Sequence, residues 1–275
     1  MSDELVKVLD GNTFVVSDDC GDIEASLTDP TGLFSYDTRF LSKWVLTVND
    51  ERLNALSVDD LQYFETRFFL VPGTGTVYVD AKLSVIRQRA VANGFHEVLT
   101  ILNHDEKPVR LSVRIEAASD FADLFEVKDA LKKKGKYTSR VERGSLRIGY
   151  ERQTYARSTL ISSSQRAKVD ETGLTFELKI PAHGEWRSEL DVVAQMPGYG
   201  ALAAPKGGRR KTIEANLDRW LAAAPRIECD WEPLKHTYRR SLVDLAALRF
   251  APPVTGGRSL PAAGLPWFMT MFGRD

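Results

Sequence analysis

The chain has 275 residues, enough to bury a sizeable core without disulfide staples, and its 43% hydrophobic and 27% charged composition is that of a globular domain. Thirty-seven Lys and Arg stand against 38 Asp and Glu, a formal net charge of -1. That balance supplies no general attraction for nucleic acid or an anionic membrane and points to a neutral or locally recognised ligand.

The opening residues, MSDELVKVLDGNTF, carry acids and no basic stretch leading into an apolar core, so no secretory signal is read. No run reaches the roughly 20 apolar residues that a bilayer crossing needs, and a cytoplasmic protein is expected. From about residue 10 to 195 the dominant period is two. Alternation is cleanest at 77–85, 109–115 and 174–180; weaker strands are predicted at 13–17, 43–48, 96–102, 145–150, 157–163 and 186–193. Turn signals separate them: Asn49-Asp50, the polar run 104–108, and Glu171-Thr172-Gly173. Many strands, short turns and no helix-length pattern between them predict an antiparallel β-sandwich over 1–197, not βαβ units.

Beyond Met196 the period changes. A loop rich in Gly, Pro, Ala and basic residues at 201–211 leads into Ile213, Leu217, Trp220, Leu221 and Ala224 at helical spacing, ended by Pro225. A second helix is predicted after Trp231-Glu232-Pro233, with Leu234, Tyr238, Leu242, Leu245 and Ala246 on one face, stopping before Pro252-Pro253. Residues 198–251 are therefore read as a loop and linker helices, and 252–275 as the opening of a further element.

Chemistry-bearing residues are sparse. His96, His104, His183 and His236 fall on different segments without metal-ligand spacing, and Cys20 and Cys229 match no CxxC, so neither a metal nor a cofactor is expected. No nucleophile elbow or phosphate-cradling glycine loop is present. Asp120, Asp123 and Glu126 fall three apart, so a helical turn would line them on one side while Phe121, Leu124 and Phe125 pack inward. Capping or solvation competes there with a place in a ligand cleft. Arg87 and Arg89 continue an apolar face and are expected near a sheet rim, paired with carboxylates. Lys132-Lys133-Lys134 reads as a solvated loop. In the last stretch, Trp267 and Phe268 offer flat faces for a sugar ring, and Arg274 and Asp275 offer charge-assisted hydrogen bonds to its hydroxyls.

Three stretches, GLFSYDTRFLSKWVLTVND at 32–50, NHDEKPVRLSVRIEAASDFADLFEVKD at 103–129 and AGLPWFMTMFGRD at 263–275, together resemble the amino-terminal region of bacterial and archaeal amylo-α-1,6-glucosidases, glycogen-debranching proteins related to glucoamylase. The resemblance implies a supersandwich-like β domain, linker helices and, over 252–275, the start of a truncated (α/α)6 catalytic barrel. It implies that Arg274 and Asp275 hold sugar hydroxyls beside Trp267, and that the partners are an α-glucan and the downstream barrel. Glycoside hydrolysis needs a proton donor and a second carboxylate, about 6.5–9.5 Å apart for inversion. The family's pair comes from later barrel loops, so no catalytic residue is expected in this chain. The alternative is a free-standing carbohydrate-binding or assembly module with an aromatic platform on a sheet face.

Overall fold

The structure, a computed structural model, describes residues 5–26, 30–73, 82–92, 94–197, 200–201, 208–251 and 259–270. In chain order the elements are β1 (Val6–Asp10), β2 (Thr13–Ser17), β3 (Ile23–Glu24), β4 (Gly32–Ser35), β5 (Thr38–Leu41), β6 (Lys43–Val48), β7 (Glu51–Gln62), β8 (Glu65–Pro72), β9 (Leu83–Val91), β10 (Phe95–Asn103) and β11 (Val109–Ala118). They continue with α1 (Leu124–Lys128), β12 (Lys136–Glu142), β13 (Ser145–Arg152), β14 (Tyr155–Ser163), β15 (Lys168–Asp170), β16 (Gly173–Ile180), β17 (Glu185–Met196), β18 (Gly200–Ala201), α2 (Gly208–Ala223), α3 (Glu232–Ala247), β19 (Arg249–Phe250) and β20 (Leu260–Pro261).

One antiparallel path of twelve strands dominates, in the order β12-β13-β14-β17-β10-β9-β8-β7-β6-β11-β16-β15. The two faces expected of a sandwich are thus made by a single sheet that curls on itself. Strand β7 makes the bend: Glu51 and Arg52 pair with β6, while Leu53 onward pairs with β8 through two register shifts. The β6–β7 turn is the predicted Asn49-Asp50, both at positive φ (54° and 65°), the conformation a two-residue hairpin requires. At the far ends the sheet nearly closes, where the Ser139 hydroxyl on β12 donates to the Glu171 carbonyl just past β15, at 2.6 Å.

The strands that alternate in sequence alternate in burial. On β10, Phe95, Leu99 and Ile101 face inward, and on β11, Leu111, Val113 and Ile115 do so, joining Trp44, Phe68, Phe176 and Val192 in one core. Of the predicted strand 77–85, residues 77–81 lie outside the described residues; its continuation β9 carries Arg87 and Arg89. These two arginines are wholly buried at the centre of the core, not at a rim as the sequence led us to expect. The pairing with carboxylates does hold, with Glu97 and Asp22.

A smaller sheet, β1-β2-β4-β5, lies between this core and a second one. Val8, Val15 and Leu33 point to the first; Leu9, Phe14, Val16 and Phe34 point to the second, where Phe14 and Phe34 stack at 4.9 Å. Every residue of β2 is buried, so its sequence TFVVS shows no alternation. The second core is completed by Leu124 and Val127 of α1 and by Ala247, Phe250, Ala262 and Met269 from the end of the chain.

Both predicted helices are present. Trp231 caps α3 with Pro233 in its first turn, and α2 ends at Ala223, ahead of Pro225. Trp220 of α2 donates to the Leu242 carbonyl at 3.2 Å, and Ile213 packs on Phe64 and Ala92 of the β body. The expected apolar face of α3 is covered only in part: Ala246 is buried and Tyr238 and Leu242 are half-buried, whereas Leu234 and Leu245 are exposed, as is Trp231 ahead of it. Over 252–275 the described residues form β20 and a turn at Gly264–Phe268; no helical barrel is seen among the described residues, and 271–275 lie outside them.

Candidate functional site

The chain's last described segment is held against the small sheet. The Asn12 side chain donates to the Ala251 carbonyl at 2.7 Å and accepts from the Ala251 N–H at 2.8 Å, while β20 pairs with β19 and Ala262 N donates to Leu248 O at 2.8 Å. Trp267 then lies half-buried against the second core. Arg274 and Asp275, expected beside it, lie outside the described residues.

Two of the stretches that carry the family resemblance meet on this side of the body. Residues 37–40 form the turn and strand β5; residues 120–127 lead into α1. Arg39 Nε donates to Asp120 at 3.0 Å, and its Nη2 makes a second bond to the same carboxylate, the fork geometry that arginine is suited to. Backbone bonds lock the pair, with Arg39 N donating to Ala122 O and Leu124 N to Asp37 O. Asp123 caps α1: its carboxylate accepts from Glu126 N at 2.8 Å while the Glu126 carboxylate accepts from Asp123 N at 2.9 Å. The three acids are therefore a clamp and a capping box. Phe121 and Leu124 pack inward as expected, but Phe125 is 70% exposed, because α1 is a five-residue turn whose far side meets solvent.

Asp120, Glu126, Arg39, Lys133 and Tyr137 line a cleft of about 300 Å³. Lys133 donates to Glu126 at 2.6 Å, and the Tyr137 hydroxyl donates to the Asp120 carbonyl at 3.0 Å. Both carboxylates are thus paired with cations, Asp120 with Arg39 and Glu126 with Lys133. Lys133, read as a solvated loop residue, is in fact well covered, with its ammonium 5.4 Å from the Tyr155 ring centre. Nearby, Asp37 sits in the β4–β5 turn at φ 65°, with one carboxylate oxygen buried and unbonded. Burial, and then the charge of Asp123, hold its carboxyl above the usual carboxylate range. Sequence reasoning passed over Asp37; the signal was a non-glycine residue in a tight hairpin turn.

The histidines are dispersed as expected. His96, on β10, has its Nδ1 2.7 Å from Asp191, and His104, just past the end of the same strand, has its Nε2 2.7 Å from Ser84. Asp18, Asp19 and Cys20 bring possible ligand atoms within 4.8 Å of one another. Asp18, however, accepts from the N–H groups of Cys20 and Asp22, at 3.0 and 2.7 Å, and so shapes the loop. Burial, and then Asp18, push the Cys20 thiol up to about 12. A second cleft, of about 290 Å³, lies between the end of α2 and the start of α3 and is lined by Pro225, Ile227, Glu228 and Tyr238. None of the described helices is long and apolar enough to cross a membrane.

The family described as "N-terminal domain of (some) glycogen debranching enzymes" matches residues 8–191. No curated protein matches the chain. Among solved structures, the chain is similar to a "Putative kojibiose phosphorylase from human microbiome", with TM-score 0.42 and 10% identity, covering 82% of this chain and 30% of that one. A galactose mutarotase related enzyme from Lactobacillus acidophilus gives TM-score 0.40 and 10% identity, covering 70% of this chain and 97% of that one. A polysaccharide lyase gives 0.35 and 10%, covering 76% and 34%. The chain thus spans less than a third of the phosphorylase's length.

Proposed function

We propose that this chain, which belongs to the family of N-terminal domains of glycogen debranching enzymes, is the accessory β domain and helical tether of an α-glucan-cleaving hydrolase of the amylo-α-1,6-glucosidase type. In this reading the curled sheet serves as a β-sandwich of the supersandwich kind, and residues 252–275 lead into an (α/α)6 barrel that carries the catalytic acids. Arg274 and Asp275, with Trp267 beside them, hold sugar hydroxyls at the mouth of that barrel. The protein works in the cytoplasm and needs no cofactor.

The observation that carries the reading is the uncovered apolar face of the helical hairpin. Trp231 is 63% exposed, Leu245 48% and Leu234 38%, on a helix whose spacing is that of a buried stripe. A barrel packed on α3 would cover them.

The test compares glucose release from a branched α-glucan by this chain and by the same chain continued into the residues encoded after codon 275. Activity is expected from the longer polypeptide alone. Turnover by the 275-residue chain would overturn the proposal. The free-standing binding module predicts a stacking platform on a sheet face. Against it, the exposed aromatics Phe125, Tyr137, Trp231 and Phe268 are spread over α1, β12, the start of α3 and the last turn.

A further inference from the structure

Strand β12 ends the long path of strands and is bonded to β13 on one side only. Its hairpin fixes which backbone groups face the open side. Arg143 and Gly144 form the two-residue turn, both at positive φ (49° and 78°), so the closing pair Glu142 and Ser145 exchanges both of its backbone bonds. Counting back in steps of two, Arg140, Thr138 and Lys136 also bond to β13, and the N–H and C=O groups of Val141, Ser139 and Tyr137 point away from it. Among the described residues no backbone group outside β13 bonds to β12.

The side chains along this edge complement themselves. Tyr137, Ser139 and Val141 stand opposite Tyr150, Ile148 and Leu146, all buried, so they lie on the core side of the sheet. Tyr137 and Val141 are nevertheless exposed, since no strand lies beyond them. Lys136, Thr138, Arg140 and Glu142 lie on the outer side. An antiparallel copy of the same strand, related by a two-fold axis through Ser139, sets Lys136 opposite Glu142, Tyr137 opposite Val141 and Thr138 opposite Arg140. Glu142 bonds Arg147 through Oε2, which leaves Oε1 for the incoming lysine. Moving the axis to Thr138 sets Lys136 opposite Arg140, and moving it to Arg140 sets that arginine opposite itself, so charge selects the Ser139 register. In that register the outward N–H and C=O groups of Tyr137, Ser139 and Val141 meet their counterparts in about six backbone hydrogen bonds.

We infer that β12 is an interaction edge for a second copy of this chain, which continues the sheet in antiparallel fashion across a two-fold axis at Ser139. Open edges are usually blunted by proline, by a bulge or by charges that would clash on pairing; β12 has no proline and no register shift over its seven residues, and its charges pair instead of clashing. An edge this short buries less than the roughly 1,200 Å² of a stable complex, so the association is weak, with a Kd on the order of 0.1–1 mM. The inference stands apart from the glucan-hydrolase reading, which rests on α3 and the end of the chain.

The test is sedimentation velocity of the full chain from about 20 μM to about 1 mM, with amide exchange followed by NMR at both ends of that range. A reversible dimer is expected at the upper end. Its signature is alternation: exchange at Tyr137, Ser139 and Val141 should slow at high concentration, while Thr138 and Arg140, already bonded to β13, should not change. Val141→Pro removes an N–H that β13 does not use and should abolish the dimer over this range. Lys136→Glu, which sets like charges opposite each other, should weaken association severalfold, and less so at high salt. A monomer at every concentration would overturn the inference, as would a dimer that leaves exchange at Tyr137, Ser139 and Val141 unchanged and so uses another surface. Undiminished association by the two variants, with spectra that show them folded, would overturn it as well.

Discussion

Two groups of arginines in this protein are treated in opposite ways. Arg87 and Arg89 lie in the middle of the main core, fully buried, with their charges answered from within the chain. Glu97 accepts from Arg87 Nε at 3.1 Å and from Arg89 Nη2 at 2.6 Å, Asp22 accepts from Arg87 Nη1 at 2.6 Å, and Trp44 donates to Glu97 at 3.2 Å. The carbonyls of Cys20 and Gly21 take further guanidinium bonds. Two cations meet two anions. Arg140 and Arg147 stand opposite each other on the outer face of β12 and β13, where Arg147 is held by Glu142 and Arg140 is exposed. Where water is excluded the fold must supply the counter-charges itself, even though Arg87 Nη2 and Arg89 Nη1 are left buried without an acceptor; at the surface water can answer the charge.

The largest expected effect tests the closed cluster. Glu97→Ala strips the counter-charge from both buried arginines and should cost about 3–5 kcal/mol by urea denaturation, whereas Arg140→Ala should change stability by less than about 0.5 kcal/mol. Equal costs would erase the contrast. The same site sets an acid limit. Burial alone would raise the Glu97 carboxyl, but Arg87 and Arg89 hold it below its ordinary value. A depressed folded value means that its stabilisation is complete above the unfolded carboxyl's titration, about pH 4.3, and is lost as pH falls toward the folded value. Stability should decline on acidification below pH ~4.3, and Glu97→Gln should flatten that decline.

Cys20 reports whether the loop over the closed cluster stays shut. With the thiol raised to about 12, the native protein at pH 8 should expose roughly a thousandfold less Cys20 thiolate than an ordinary thiol would. Alkylation of Cys20, mapped by peptide mass, should therefore be far slower in native than in unfolded protein. Rapid native labelling would mean that the loop carrying the Cys20 and Gly21 carbonyls opens.

The Arg39–Asp120 clamp is intermediate between the two clusters, with a buried cation and a 37% exposed carboxylate. A double-mutant cycle with Arg39→Ala and Asp120→Ala should return a coupling of about 1–2 kcal/mol, below the interior pairs and above a surface pair. The smallest expected effect is at Asp37. Its raised carboxyl means that folding favours the protonated form, a penalty present at neutral pH and relieved as pH falls. Asparagine carries no charge and suits a left-handed turn, so Asp37→Asn should stabilise the protein by a few tenths of a kcal/mol at pH 7 in thermal melts, and less at pH 4.

Much of the fold was readable without coordinates. Strands β10, β11 and β16, the Asn49-Asp50 turn and the two helices with their prolines follow from local pattern. Strand β2 was read at 13–17 although all five of its residues are buried, whereas β8 was missed, because Phe68-Phe69-Leu70-Val71 is apolar at every position and shows no alternation. Strand β7 hides for the opposite reason: most of its side chains are exposed, and nothing in ERLNALSVDDLQ marks an inside face. Of the acids at 120–126, read as one side of a helical turn, only Glu126 lies in α1, with Asp123 as its cap and Asp120 before it, and the turn signal at Asp37 was passed over.

The sequence by itself determined where strands and helices run and where they break, because periodicity and turn chemistry act over a few residues. It also displayed the segments that tie the chain to its family. Tertiary structure alone decided that the sheet curls through β7, that two arginines end at its centre, and that Arg140 and Arg147 stand opposite each other on its outer face. Those outcomes depend on which distant strands become neighbours, and the free energy of a charged side chain is set by the groups that surround it.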